Sequence, residues 1–371
     1  MLRDKYGLVD NRDWSLAEAR KCDFRGLSPT TCIYRPFDLR FMLYGGFAFD
    51  YHRPEVNDHL LKENLALIST RQTKEDFSAL VTNRPAGQHK LATPYDGSYL
   101  SPLYLYHLTS EKKRAQAELE VQTSHWLPGP GGRRPNLNPE FVTGLEKRLG
   151  LKFVPDGKGD LKKSFGPEDV FNYIYAVFHS PIYRTRYAEF LKSDFPRLPL
   201  TSDANLFRAL AEKGAELVGL HLMESPALEK PITSYPVKGS NVVEKGYPKY
   251  LPPGAPEPGV GKPLKAGRVY INAVAPVSSP ATGNVEAALR RHKSGDVKSP
   301  LQGQYFEGVP PEVWDFHIGG YQVCEKWLKD RRGRTLSYDD TTRYQKIVVA
   351  LKETIRLMAE IDAIIPKWPI D

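Results

Sequence analysis

Pro167-Glu168-Asp169-Val170-Phe171-Asn172-Tyr173-Ile174-Tyr175-Ala176-Val177-Phe178-His179-Ser180-Pro181 is the stretch on which the reading of the fold turns. Proline suits the first helical position, where its φ is already helical and its missing N–H would have had no partner. Glu168 and Asp169 follow where negative charge meets the positive end of the helix dipole. Val170, Phe171, Ile174, Tyr175, Val177 and Phe178 cover more than one side, so the spacing predicts a helix over 167–179 buried on several faces. Ser180-Pro181 breaks it, and a second helix is expected over 183–192.

Upstream, the pattern changes from helical spacing to short apolar runs. Residues 31–34, 65–70, 78–82 and 99–106 read as strands, punctuated by Pro36, Pro54, Pro85 and Pro94, with a short helix over 56–63. Residues 1–30 read as a polar connector with a short helix over 13–20. Between 109 and 225 helices are expected over 111–121, 138–149 (capped by Asn138, with Phe141, Leu145 and Leu149 in register) and 203–223, with a loop over 128–135. Residues 226–265 are rich in Pro, Gly and Lys and predict extended loop with one strand near 235–237. Strands are then expected at 268–273 and 304–306, an insertion with a short helix 285–292 at 276–303, a turn at 310–315 and a long helix over 338–361. The expected class is mixed α/β (α+β), with a β-rich N-terminal lobe (31–108), a helical part (109–225), a loop and strand region with long inserted loops (226–310) and C-terminal helices (316–371).

The chain has 371 residues, enough for a large core, and a formal net charge of +8, a balance that suits a polyanionic partner. No run of 18 apolar residues exists and Met1 to Tyr6 lacks the apolar core of a secretion signal, so a cytoplasmic protein with no membrane partner is expected. Cys22, Cys32 and Cys324 form no Cys-x-x-Cys pair, which argues against zinc and against a disulfide framework. His179-Ser180 is an adjacent pair that a helix does not turn toward each other, and Gly254 to Pro263 lacks the Ser or Thr of a phosphate loop. Phe316 to Arg334 packs three aromatics, the pair Gly319-Gly320 and five Lys or Arg into one helix and turn. Such a cluster attracts phosphates, although a charge run is more often a solvated face.

Four blocks, in order, resemble one family. They are Tyr34-Arg35-Pro36-Phe37-Asp38-Leu39-Arg40, Asn64-Leu65-Ala66-Leu67-Ile68-Ser69-Thr70-Arg71-Gln72, the segment from Asp169 to Arg184, and Phe316 to Arg334. Together they are similar to the C-terminal target-recognition region of Type ISP restriction–modification enzymes, and the first of them also resembles the segment that follows the methyltransferase domain in related Type IIG enzymes. Type ISP enzymes carry, in order, a nuclease, a helicase-like ATPase, a coupler, an adenine N6-methyltransferase and a target-recognition domain, and the chain looks like the last of these. An adenine methyltransferase needs an Asn/Asp-Pro-Pro-aromatic loop; Asn138-Pro139-Glu140-Phe141 departs from it and reads as a helix start. The resemblance therefore implies a module that reads double-stranded DNA for a methyltransferase domain or subunit, with residues 1–30 as the connector and 31–371 as the recognition domain. It implies no catalysis, metal or cofactor in this chain, with S-adenosylmethionine bound only by the methyltransferase. The competing expectation is a protein–protein docking module for a methyltransferase or helicase partner that makes no direct DNA contact.

Arg71, Arg184, Arg186, Lys326, Lys329, Arg331, Arg332 and Arg334 are the expected phosphate contacts. Base readers are expected in the variable loops 83–98, 122–137, 226–265 and 276–303, with Asn284, Arg290, Arg291, His292 and Lys293 as the reader set. Arg35 and Arg40 are assigned instead to ion pairs that fix the fold, Gly319 and Gly320 to a tight turn with close packing, and Trp327 to the core.

Overall fold

The computed structural model describes residues 10, 15–21, 23, 25, 29–45, 53–87, 91–106, 132–258, 260–273 and 303–370, which form a mixed α/β fold of helices and small sheets. The chain divides into two compact units. One comprises Met1–Ser225, Ile318–Tyr321 and Arg356–Asp371, the other Pro226–His317 and Gln322–Ile355. Among the described residues no helix is long and apolar enough to cross a membrane.

The first unit begins with α1 (Leu16–Ala19) and an antiparallel hairpin, β1 (Pro29–Arg35) and β2 (Asp38–Leu43). Its turn forces Phe37 to a φ of +61°, which a bulky residue holds only when surroundings over-determine it. The Phe37 ring is buried, edge-on to His221 at 5.6 Å. Arg40 meets the buried Asp38 carboxylate at 2.7 Å, and Arg35 donates to the Tyr321 hydroxyl at 2.6 Å while lying over the Tyr34 and Tyr321 rings. Both arginines thus serve the fold.

After α2 (Pro54–Asn57) and a 3-10 turn at Asp58–Leu61, β3 (Ala66–Thr70) is the centre of an antiparallel sheet with β4 (Leu80–Thr82) and β5 (Ser98–Pro102). The run expected over 99–106 is two strands, because β6 (Tyr104–Tyr106) leaves to pair with β7 (Arg133–Pro135). A loop was expected at 128–135; its described end is held as a strand by Arg133, which stacks over Tyr104 at 4.1 Å and pairs with Asp156 at 2.8 Å. The helix expected over 111–121 lies outside the described residues.

α3 (Pro139–Leu149) is capped by Asn138, whose Oδ1 accepts from the Glu140 amide at 2.7 Å, and ends at Gly150 with φ +65°. Val142, Leu145 and Leu149 form its buried stripe, with Val142 in place of the expected Phe141. A short parallel pair, β8 (Lys152–Phe153) and β9 (Ser164–Phe165), leads into α4 (Pro167–His179). There the Asp169 carboxylate accepts the Gly166 amide at 2.9 Å and the Gly159 amide at 2.6 Å. α4 is buried on nearly all sides and packs on α7 (Ala204–His221), itself capped by Asp203. A side chain at Gly214 would meet the Asn172 carbonyl at 1.8 Å, so glycine is what lets the two helices approach. Between them the expected 183–192 helix is divided at Tyr187 into α5 (Pro181–Arg186) and α6 (Ala188–Ser193). Residues 318–321 close against this unit through backbone. A Cβ at Gly319 would stand 1.9 Å from the Ala92 carbonyl and one at Gly320 2.7 Å from Pro94.

The second unit holds the antiparallel sheet β10 (Lys249–Leu251), β11 (Arg268–Tyr270) and β12 (Tyr305–Glu307). The strand expected near 235–237 is absent; Ser234 makes one bridge to Glu307, and the edge position is taken by β10. α8 (Pro311–Trp314), α9 (Val323–Lys329) and the start of α10 (Tyr338–Ile364) follow; between α8 and α9 in sequence runs the hairpin β13 (His317–Ile318) and β14 (Tyr321–Gln322), whose residues 318–321 count with the first unit. Phe306, Tyr344 and Trp327 pack as one aromatic core, with centroids 4.4 Å and 5.6 Å apart, and Trp327 is 3% exposed as expected.

Candidate nucleic-acid interface

The sequence-expected phosphate contacts fall into two groups, one per unit, and the structure disposes of them unequally. In the first unit Arg71 follows β3, exposed, 3.5 Å from the Asp194 carboxylate and over the Phe195 ring. Arg186 ends α5, exposed beside Tyr187. Arg184 differs. Its Nε donates to the Phe178 carbonyl at 2.6 Å, and burial pushes the guanidinium pKa down to about 10. Arg184 is half-buried, and its guanidinium is engaged by backbone where that of Arg186 is open.

In the second unit Lys326 pairs with Asp330 at 2.5 Å and Lys329 with Glu325 at 2.6 Å, each one helical turn away. Arg331 is 9% exposed; its guanidinium lies 3.4 Å from the centroid of Trp327, donates to the Trp327 carbonyl at 3.1 Å and meets Asp340 at 3.2 Å. The expected phosphate contact at Arg331 is thus a packed core pair. Arg332 is exposed and donates to the Tyr247 carbonyl at 2.5 Å, while Arg334 is exposed and, among the described residues, has no ion pair. Two of the five cations therefore present open charge.

The reader set Asn284, Arg290, Arg291, His292 and Lys293 lies outside the described residues. Described instead are the residues on either side of segment 274–302. Asn272 and Gln304, both buried, exchange two hydrogen bonds: Asn272 Nδ2 donates to Gln304 Oε1 at 2.9 Å, and the Gln304 backbone N–H donates to Asn272 Oδ1 at 2.9 Å. Gln304 Nε2 then donates to the carbonyl of Val237 at 3.1 Å and the side chain of Asn241 at 2.7 Å. Loop 83–98 is less free than its composition suggests, since Ala86, Leu91, Ala92 and Thr93 are all buried.

Arg197, exposed and without an ion pair among the described residues, escaped the sequence reading, as did the aromatic cleft it joins. His179 and Ser180 do not form a reactive pair. His179 Nδ1 donates to the Tyr175 carbonyl at 2.7 Å, whereas Ser180 Oγ donates to Asp362 and accepts the Tyr183 amide as a helix cap. Among the described residues no cluster of His, Cys, Asp and Glu could hold a metal ion.

The described fold is shared with large enzymes. A nuclease-deletion mutant of the Type ISP restriction–modification enzyme LlaGI, solved with a DNA substrate mimic, superposes over 95% of this chain at 17% identity with a TM-score of 0.55. The ATP-dependent Type ISP enzyme LlaBIII bound to DNA matches over 94% at 16% identity and 0.58, and a DrdV–DNA complex over 93% at 18% identity and 0.56. The chain spans only 22%, 19% and 29% of those three chains, respectively. No curated protein sequence matches it significantly. The family model of the Type ISP C-terminal specificity domain matches residues 3–360, and the chain belongs to that family.

Proposed function

We propose that this chain reads the sequence of double-stranded DNA for a Type ISP-like restriction–modification system and positions the target for an adenine methyltransferase outside the chain. The family match over 3–360 carries the reading, supported by the DNA complexes among the similar structures. Recognition is the chain's whole contribution; S-adenosylmethionine and the methyl transfer belong to the methyltransferase. Arg71, Arg186, Arg332 and Arg334 supply salt-dependent phosphate contacts, and residues within segment 276–303 supply base readout.

One observation favours the docking alternative. Leu39 and Phe41 of β2 are exposed, Phe41 at 83%, and such a face suits a partner domain. Reversing Arg332 and Arg334 to Glu separates the two. Under the DNA reading, duplex affinity falls and the slope of log K against log salt shrinks by about 1 for each lost phosphate contact. Under docking alone, both stay unchanged. Methyl transfer by the isolated chain would contradict the assignment of chemistry elsewhere.

A further inference from the structure

An open cleft of about 340 Å³ lies between α6 and the segment after it, lined by Tyr187, Phe190, Asp194, Phe195, Arg197 and Leu198 among others. Its rings are unusually wet: Phe190 is 74% exposed and Phe195 43%, and Tyr99 meets Phe195 edge-on at 5.0 Å. Exposed aromatics at one place mark a surface awaiting a partner. The charge at the rim says which kind. Arg71 lies over Phe195, Arg186 beside Tyr187, and Arg197 in the lining. Among the described residues neither Arg186 nor Arg197 has an ion pair, so the rim keeps positive charge that Asp194 and Glu189 offset only at Arg71 and Lys192. Flat apolar rings beside open guanidinium groups are the pair of features that hold a nucleotide, base on ring and phosphate on arginine. An aliphatic side chain of a partner protein would have no use for the cations.

We infer that this cleft takes an unpaired nucleobase of bound DNA, with Phe190 and Phe195 as the stacking platform and Arg186 and Arg197 on the flanking phosphates. The inference rests on the DNA reading above, and its test separates the two. The full chain is titrated by fluorescence anisotropy with a matched duplex and with the same duplex carrying one unpaired nucleotide. The unpaired nucleotide should tighten binding about tenfold, within the range a base–aromatic stack supplies. The double variant Phe190→Leu/Phe195→Leu should keep its affinity for the matched duplex and lose that preference. Leucine retains the apolar surface and both positions are exposed, so folding is spared and only the π face is removed. Equal affinity of the wild type for the two DNAs overturns the inference and leaves duplex binding standing, and so does a preference that survives in the leucine variant. Loss of binding to both DNAs in the wild type overturns the inference and the DNA reading together.

Discussion

Residues 184–197 carry four Lys or Arg and residues 326–334 carry five, and in each stretch the structure leaves only part of that charge open. In the first stretch Arg184 turns inward, and Arg186 and Arg197 stay exposed without ion pairs among the described residues. In the second, Lys326 and Lys329 are neutralised by carboxylates one turn away, Arg331 is a core group on Trp327, and the open charge is left to Arg332 and Arg334. A run of Lys and Arg is therefore not yet a surface potential. The carboxylates at four-residue spacing and the aromatic one turn back decide how much of it faces water.

The strongest way to break this contrast is to treat all the arginines as surface groups. Arg331→Ala should destabilise the second unit by about 2 kcal/mol, because it strips a stacked guanidinium from Trp327 and takes the ion pair from Asp340, to which Ser337 still donates. Arg334→Ala should change stability by less than about 0.5 kcal/mol. Urea midpoints of the two variants give both numbers; equal midpoints would refute the division into core and surface cations.

Acid sharpens the contrast between units. In the first unit His179 and His221 are buried, and desolvation, reinforced by the nearby Arg184 charge, holds both pKa values down, His221 at about 3 and His179 well below the usual value. The folded state then refuses protons that the unfolded chain accepts below its ordinary histidine pKa of about 6.5. Stability is thus full above pH 6.5 and is lost as pH falls through it toward the folded values, by up to about 1.4 kcal/mol per pH unit for each histidine. Hydrogen exchange at pH 7 and pH 5 should show protection falling in α4 and α7, and His221→Gln should roughly halve the pH slope. A slope unaffected by that substitution would exclude the buried pair as its cause.

The smallest effect belongs to the paired lysines. Lys326→Ala and Lys329→Ala should each destabilise α9 by about 0.3–0.5 kcal/mol, the usual worth of a helical ion pair at that spacing, and raising salt should shrink the difference. A loss above about 1 kcal/mol would mean that these pairs hold more than local charge.

How legible the molecule was depends on how local each signal is. The bounds of α4 follow from Pro167 and the Ser180-Pro181 break, all adjacent in sequence, and the expected and observed helices agree. The caps at Asn138 and Asp203 are local in the same way. The β6–β7 pairing joins residues about thirty positions apart, and the edge strand at 249–251 depends on which segment reaches β11; neither leaves a mark in nearby residues. At the candidate interface the residue types were readable and their exposure was not. Arg331 depends on Asp340 nine positions on, and the cleft beside Phe195 draws on Arg71 from β3 and Tyr99 from β5.

Selection from a random duplex library by this chain at moderate salt, with excess heparin as a competing polyanion, tests the central claim most directly. The account predicts enrichment of one short asymmetric sequence and survival of binding in heparin, because base readout adds discrimination that phosphate contacts alone lack. A library that stays random, with heparin removing all bound DNA, would contradict it.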